Sequence, residues 1–359
     1  MTSAYIHIPF CDNICTYCDF CKRYNYRFIV DKYLDALKKD IIDNYHGEEL
    51  KTIYIGGGTP SSLNVSELAK LMNIIKLLKL DSDYEFTFEC NPENITKEKL
   101  IILKENGVNR ISLGVESTNN KYLKYLGRHH DFKMVKEKIK LIKKYINNIN
   151  VDLIYALPNE TLDELTKDLS KIVKLNVNHV STYSLEIHDN TILGIKKIKP
   201  INEDIDSDMY NLICSYLKAK GFNHYEVSNF CKDNSYSRHN MVYWHNVEYY
   251  GFGLGASGYI NDIRYDNTRS MYNYINGNRI LNKEKITKKD KISYELILGF
   301  RLINGINKEE FKKKYGVSLI DQFNIKELIK NGFLLDDGLF VKVSYDKIYI
   351  ENSILENFI

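Results

Sequence analysis

Four of the seven cysteines of this 359-residue chain lie between Cys11 and Cys21, in a stretch that reads YIHIPFCDNICTYCDFC from Tyr5 to Cys21. Cys11, Cys15 and Cys18 form CxxxCxxC, a spacing that curls one short loop so that three thiolates face a common centre. Three thiolates on a cubic 4Fe-4S cluster leave one iron without a protein ligand, and an open iron chelates the amino and carboxylate groups of a small molecule. Cys21, three residues beyond Cys18, is able to close the fourth position of a cluster or of a tetrahedral zinc site. Zinc sites ordinarily pair such a motif with a second cysteine or histidine pair further along, and no second tight pair follows here. An odd number of cysteines fits a reducing cytosol better than a disulfide framework. The iron-sulfur cluster is therefore the leading reading, with zinc and inert thiols behind it.

A loop of this kind needs short buried strands to hold it. From Ala4 to about Glu186 the chain alternates helical stretches with apolar runs at 4–9, 52–57, 85–90, 109–115, 150–156 and 179–186. The runs are rich in Ile, Val, Phe and Tyr, as parallel strands covered on both faces are. The first helix, about 29–45, places Val30, Tyr33, Leu34, Leu37, Ile41, Ile42 and Tyr45 on one apolar stripe. The third opens at Thr96 as N-cap and stops at Gly107. Six such units predict an α/β fold, an open (β/α)6 partial TIM barrel over residues 1–230 that carries the cluster loop near its start. In such barrels the chemistry sits at the carboxyl ends of the strands.

Further polar residues fall at strand ends. Gly56, Gly57 and Gly58 let the backbone approach a ligand and offer carbonyls to an ammonium group, or else form a plain turn. Glu89 closes the third run and Asp152 opens the fifth, either as acceptors for ribose hydroxyls or as salt-bridged structural acids. Past the barrel, a helix at about 203–219 leads to Gly221 and a strand near Tyr225 to Val227. Residues 231–285 read as a connecting segment whose glycine run, Gly251 to Gly258, lacks the strand-turn-helix context of a dinucleotide loop. Residues 286–359 read as a smaller winged-helix-like α+β appendage, with helices at about 307–314 and 318–330 and a hairpin turning at Asp337-Gly338. Its lysines alternate with acids, so a packing module over the barrel mouth, or a partner surface, is expected rather than a DNA reader.

YIHIPFC, GGGTPS, ECNPE, RISLGVES, LGRHH and VDLIYALP occur in this order along the chain. Together they resemble the radical S-adenosylmethionine (SAM) superfamily and, within it, the oxygen-independent coproporphyrinogen oxidase group with its heme chaperones. The resemblance runs from about Tyr5 to the C-terminal end. It implies a 4Fe-4S cluster on Cys11, Cys15 and Cys18, and SAM held at Tyr5, Tyr17, Gly57, Gly58, Thr59 and Glu89. A further set of cofactor-binding positions carries over as Glu116, Arg128 and Asp152. Glu116 stands where the group usually has Gln, and Ala156 where it has Gly. The extra carboxylate changes the charge near Asp152, and Arg128 pairing with it would leave both as structure. HNxxYW, at His239, Asn240, Tyr243 and Trp244, resembles the heme-chaperone signature. It implies that His239 ligates heme iron under a cover of aromatic rings, or that His239 braces the barrel floor.

Two functions follow from the resemblance. A heme chaperone would bind heme, the cluster and SAM and deliver heme to acceptor proteins, respiratory enzymes among them, with a homodimer as a further form. A coproporphyrinogen III dehydrogenase would instead cleave SAM to a 5'-deoxyadenosyl radical and decarboxylate propionate side chains. Dehydrogenases carry a long segment before the cluster and a CxxxCxxCxC motif; here the cluster begins at residue 11, Phe20 stands at the extra cysteine's position, and HNxxYW is present. These features favour the chaperone and leave open whether the chain is an enzyme at all. A net charge of +3 gives no nucleic-acid footprint. With no basic leader and no apolar run of about 18 residues, the expectation is a cytoplasmic protein without a transmembrane segment.

Overall fold

The structure, a computed structural model, describes residues 2–359. Six parallel strands neighbour one another in chain order: β1 (Thr2–Ile8), β2 (Leu50–Gly57), β3 (Leu80–Cys90), β4 (Arg110–Glu116), β5 (Asn148–Tyr155) and β6 (His179–Ser184). Ile6 registers with Ile55, Ile55 with Phe88, Phe88 with Ile111 and Ile111 with Ile149, so one apolar row runs across the sheet and is fully buried. Because successive side chains alternate between faces, the polar partners of that row, Tyr54, Glu89, Ser112 and Asp152 among them, share the concave side.

Helices between the strands cover the apolar face. The helix Arg27–Asn44 buries Val30, Tyr33, Leu34, Leu37 and Ile41 as its stripe predicts, while Ile42 lies one step off the stripe and is 59% exposed. Thr96 caps the helix Lys97–Glu105 by accepting from the Lys99 amide at 3.3 Å, and Gly107, at φ 89°, ends it in the left-handed region.

The barrel is open, and both of its edges are extended. β7 (Asn223–Glu226) and β8 (Asn229–Cys231) continue the sheet antiparallel beyond β6. On the other side β9 (Tyr249–Phe252) runs parallel to β1, and β10 (Ser257–Ile260), β11 (Ile263–Asn267) and β12 (Ile280–Lys285) follow antiparallel. The result is a twelve-stranded sheet in the order β12-β11-β10-β9-β1-β2-β3-β4-β5-β6-β8-β7. Residues 231–285, expected as a connection, thus supply a third of the sheet. Its strands are short and interrupted by glycines that let neighbouring strands close up, Gly258 against the Tyr265 ring and Gly251 against the Ser257 carbonyl, so no alternating pattern announced them.

The C-terminal appendage has helices Lys288–Gly299, Lys308–Tyr315 and Ile325–Lys330 and a small sheet in which Phe340–Val343 pairs with both Ile306–Asn307 and Leu334–Asp336. The helix expected from 318 starts later, because Leu319–Asp321 is a 3-10 turn and Phe323 adopts φ 43°. The appendage does not cover the barrel mouth. It packs along the free edge of β7 and against the underside of the barrel, with the Val227 amide on the Arg301 carbonyl (3.1 Å), the Ile303 amide on the Tyr225 carbonyl (3.1 Å) and Lys314 Nζ on the His245 carbonyl (2.9 Å). The helix Arg238–Trp244 lies across the amino ends of β2 and β3 and offers that underside a partner face. Among the described residues no helix is long and apolar enough to cross a membrane.

Candidate functional site

The cysteine loop leaves β1 at the carboxyl end of the strands and is tied down on two sides by backbone bonds. On one side the Gly58 amide donates to Ile8 (2.9 Å), that of Thr59 to Phe10 (2.8 Å) and that of Asn25 to Cys11 (2.9 Å). On the other, the Thr16 amide donates to Leu126 (3.1 Å) and Asn13 Nδ2 to Gly127 (2.6 Å). Gly127 sits at φ 74°, and a Cβ there would lie 3.3 Å from the Thr16 methyl, so the loop rests on bare backbone.

Cys11, Cys15 and Cys18 line one cavity of about 480 Å³ at the mouth. Thr59 Oγ1 donates to Cys11 Sγ (3.4 Å) and Arg128 Nη1 to Cys15 Sγ (3.4 Å). Such donors favour thiolates, against burial, which pushes the Cys11 thiol up to about 12. Among the described residues no three His, Cys, Asp or Glu side chains stand close enough to share a single metal ion. Three thiols around one mouth match the three protein ligands of a cubane with one open iron. Cys21 faces elsewhere: it lines a second cavity with Tyr5, His7 and Arg269, and its carbonyl accepts from His7 Nε2 at 2.7 Å.

The glycine triplet serves packing and access together. A Cβ on Gly56 would lie 2.7 Å from the Glu89 carboxylate, and one on Gly58 would lie 2.8 Å from the Pro9 backbone and 3.0 Å from Cys11 Sγ. Gly57, at φ 115°, is closed to a side chain by the His7 ring. The bare backbone of Gly57 and Gly58 then forms part of the cavity wall.

Carboxylates gather below the thiols. Glu89 accepts from Tyr54 (2.7 Å) and from the Gly57 amide (3.0 Å), and burial lifts it to about 7. Asp152 accepts from Ser112 (3.1 Å) and Asn150 (2.8 Å), and burial raises it too. Glu116 closes β4 at a bulge, with φ 64°. Burial raises it to about 7 against the opposing pull of Arg128, whose Nη1 is 3.9 Å away. Arg128 also donates to Gly114 O (2.6 Å) and Asn91 Oδ1 (2.9 Å), so it pairs with Glu116 and at the same time ties β4 to the cysteine loop. Ala156, just past β5, adopts φ 58°, a conformation that explains why glycine is usual at that point.

Of the residues expected at an organic cofactor, all except Tyr5 and His239 line the main cavity. Tyr5 turns into the second cavity, where its hydroxyl meets His7 Nδ1 at 3.0 Å. His239 is at the opposite end of the barrel. Its Nδ1 meets Thr52 Oγ1 (2.6 Å), its Nε2 meets the Tyr243 hydroxyl (2.8 Å), and its amide donates to Glu85 (3.1 Å). Burial lowers it to about 3. With both ring nitrogens engaged, the geometry is that of a floor brace. Two contributors were not singled out from sequence. Asn91 sits inside ECNPE and orients Arg128. Arg110 opens RISLGVES, is 2% exposed, and holds down the proton affinity of Glu89 and Asp152 from the barrel interior.

An open parallel barrel with three spread thiols and carboxylates at its carboxyl mouth is the architecture of a radical SAM protein, and the Radical SAM superfamily pattern matches residues 5–172. The HemN C-terminal domain pattern matches residues 286–344. The heme chaperone HemW of Lactococcus lactis subsp. lactis (strain IL1403) is 39% identical over 99% of this chain and 97% of its own length. Those of Bacillus subtilis (strain 168) and Escherichia coli (strain K12) are 37% and 32% identical over 100% and 99% of this chain, and 99% and 98% of their own. The chain belongs to the HemW family. In fold it is similar to the coproporphyrinogen III oxidase (HemN) from Escherichia coli, with a TM-score of 0.88 at 21% identity over 99% of this chain and 89% of that one. Membership of the radical SAM class implies a 4Fe-4S cluster and SAM.

Proposed function

We propose that this protein is a heme chaperone that binds heme, carries a 4Fe-4S cluster with SAM, and delivers heme to acceptor proteins. The observation that carries this reading is likeness over nearly the whole chain to proteins named as heme chaperones. Cys11, Cys15 and Cys18 would hold the cluster, which with SAM supplies one-electron chemistry at its open iron. Thr59 and Arg128 orient two of the thiolates and offset their charge. The backbone at Gly57 and Gly58 gives a ligand's ammonium group close access. Glu89 and Asp152, fixed by Tyr54, Ser112 and Asn150, are placed to accept from hydroxyls. Respiratory enzymes as acceptors, a homodimer and a cytoplasmic location belong to the same reading. Seven free cysteines suit a reducing compartment.

The alternative, oxidative decarboxylation of coproporphyrinogen III, is supported at the level of fold. Phe20 at the position of the dehydrogenases' extra cysteine and the HNxxYW motif argue against it. The test is heme titration of the anaerobically reconstituted full chain, followed by transfer to an apo-globin and by incubation with coproporphyrinogen III and SAM. Binding of about one heme per chain, with transfer and without porphyrinogen turnover, is expected. Absence of heme binding, or conversion of the porphyrinogen in step with SAM cleavage, would overturn the reading.

A further inference from the structure

Just past the cysteine loop the chain folds back along its own start. Arg23–Tyr24 pairs in parallel with Phe10–Cys11, so that Tyr24 stands opposite Cys11 across a ladder about 4.8 Å wide. Lys22 Nζ donates to the Cys18 carbonyl, and the Asn25 amide donates to that of Cys11 at 2.9 Å. The segment from Lys22 to Phe28 is therefore bonded directly to two of the three cysteines that share the main cavity.

Its outer side is uncovered. The rings of Tyr24 and Tyr26 lie 6.4 Å apart and those of Tyr26 and Phe28 6.1 Å, and the three side chains are 50%, 59% and 75% exposed. A contiguous row of exposed rings marks a surface that a partner covers. Beside it lie half-buried Lys22 and exposed Arg23 and Arg269, the two arginines joined by Arg23 Nη2 on the Arg269 carbonyl (3.2 Å). Among the described residues none of these three cations has a carboxylate within ion-pair distance. The acids near them in the chain are engaged elsewhere. Asp12 accepts from Asn25 (3.1 Å) and Asn94 (2.9 Å), Asp19 faces His188 at 3.7 Å, and Asp31 holds Lys70 at 3.2 Å.

Exposed rings and arginines together are the composition of a protein interface, and cations left unpaired there select an acidic partner. Of the six side chains only Lys22 lines the main cavity, so a protein seated on this surface leaves the mouth open to small ligands. We propose that the surface docks an acidic one-electron carrier protein, whose electron reaches the cluster through the Lys22–Phe28 segment. The proposal rests on the radical SAM reading of Cys11, Cys15 and Cys18 and adds to it the place where the electron enters. The carrier's reduced centre loses one electron and the cluster gains it; no bond is made or broken and no proton moves. A patch of this extent suits the small, transient interfaces of electron-transfer partners, below about 1,200 Å² in total.

The test uses the full, cluster-loaded chain with an acidic 2Fe-2S ferredoxin as probe. It compares the unaltered protein with Phe28→Ala and with the double variant Arg23→Glu/Arg269→Glu. Absorption follows reduction of the cluster by reduced ferredoxin and, separately, by dithionite, and calorimetry of the oxidised proteins reads docking alone. At low salt the double charge reversal should slow reduction by ferredoxin and weaken docking by roughly tenfold or more. Phe28→Ala should weaken docking about twofold to tenfold, and added salt should weaken docking of the unaltered protein. Dithionite should reduce all three proteins fully, with iron content unchanged. One ferredoxin rate and one affinity in all three would overturn the docking surface, as would an unaltered protein that dithionite reduces and ferredoxin does not. Self-association that is lost in the variants, read by light scattering, would give the surface to a second copy of the chain and overturn the proposal as well. An unaltered protein that loads no cluster would defeat both the proposal and the reading beneath it.

Discussion

At the scale of single residues, the protein separates two kinds of polar side chain that look alike in a motif. Cys11, Cys15 and Cys18 share a cavity and Cys21 does not. Replacing any of the three by Ala should abolish loading of about four irons per chain, while Cys21→Ala should retain it. Iron analysis after anaerobic reconstitution decides, and normal loading in Cys15→Ala would refute the assignment. His239 belongs to the other kind, buried and saturated between Thr52 and Tyr243. His239→Ala should destabilise the fold by about 2–4 kcal/mol through lost hydrogen bonds and a cavity, and leave the spectrum of bound heme unaltered. Urea unfolding beside a Soret spectrum measures both, and a shifted Soret band would restore His239 as a ligand.

At the scale of elements, the turn after β4 decides where Glu116 and Arg128 stand. It is built on Asp168, which is buried and accepts from Ser117 Oγ (2.7 Å), from the Thr118 amide (2.9 Å) and from the Thr118 hydroxyl. Asp168→Ala would strand these donors at a cost of about 1–3 kcal/mol. The same change should blunt the effect of SAM on the cluster's paramagnetic signal, because Glu116 loses the turn that holds its left-handed backbone. A full-strength SAM response in a destabilised Asp168→Ala protein would show that the turn does not position the site. Gly58→Val acts on the neighbouring element. Its branched side chain would be driven into Pro9 and Cys11, so both iron loading and the SAM response should fall, and retention of both would mean that the loop moves aside freely.

At the scale of the whole molecule, burial sets a pH dependence. Glu89, Glu116 and Glu226 are raised from 4.5 to about 7, and Glu160 and Glu351 to about 8. Between those values the folded chain holds more protons than the unfolded one, so these groups lose stability as pH rises. Buried His7 and His224, lowered from 6.5 to about 4, and His239, lowered to about 3, work in the opposite direction below 6.5. From pH 6.5 to 8 the acids act without that opposition. The cluster-free chain should therefore lose at least ~1 kcal/mol between pH 6.5 and 8.5, read as a lower urea midpoint. A midpoint that stays level or rises would contradict this.

The sequence by itself determined the six parallel strands, the first helix and its stripe, the Thr96 cap and the three-cysteine loop. Each depends on local periodicity, capping or spacing within a few residues, and local steric and hydrogen-bond preferences act at that range. The carboxyl end of a parallel strand also accounts for Glu89 at the mouth, whereas Glu116 and Arg128 were named only by the family resemblance. Only the tertiary structure decided the rest. It assigned Cys21 to a different cavity from its neighbours and put His239 at the floor. It turned residues 231–285 into strands of the main sheet and set the C-terminal appendage against the β7 edge and the floor helix rather than over the mouth. These outcomes rest on contacts between segments tens to hundreds of residues apart, such as Cys21 with Gly255 and Thr52 with His239, and no local pattern records which distant surface a short strand or a single side chain will meet.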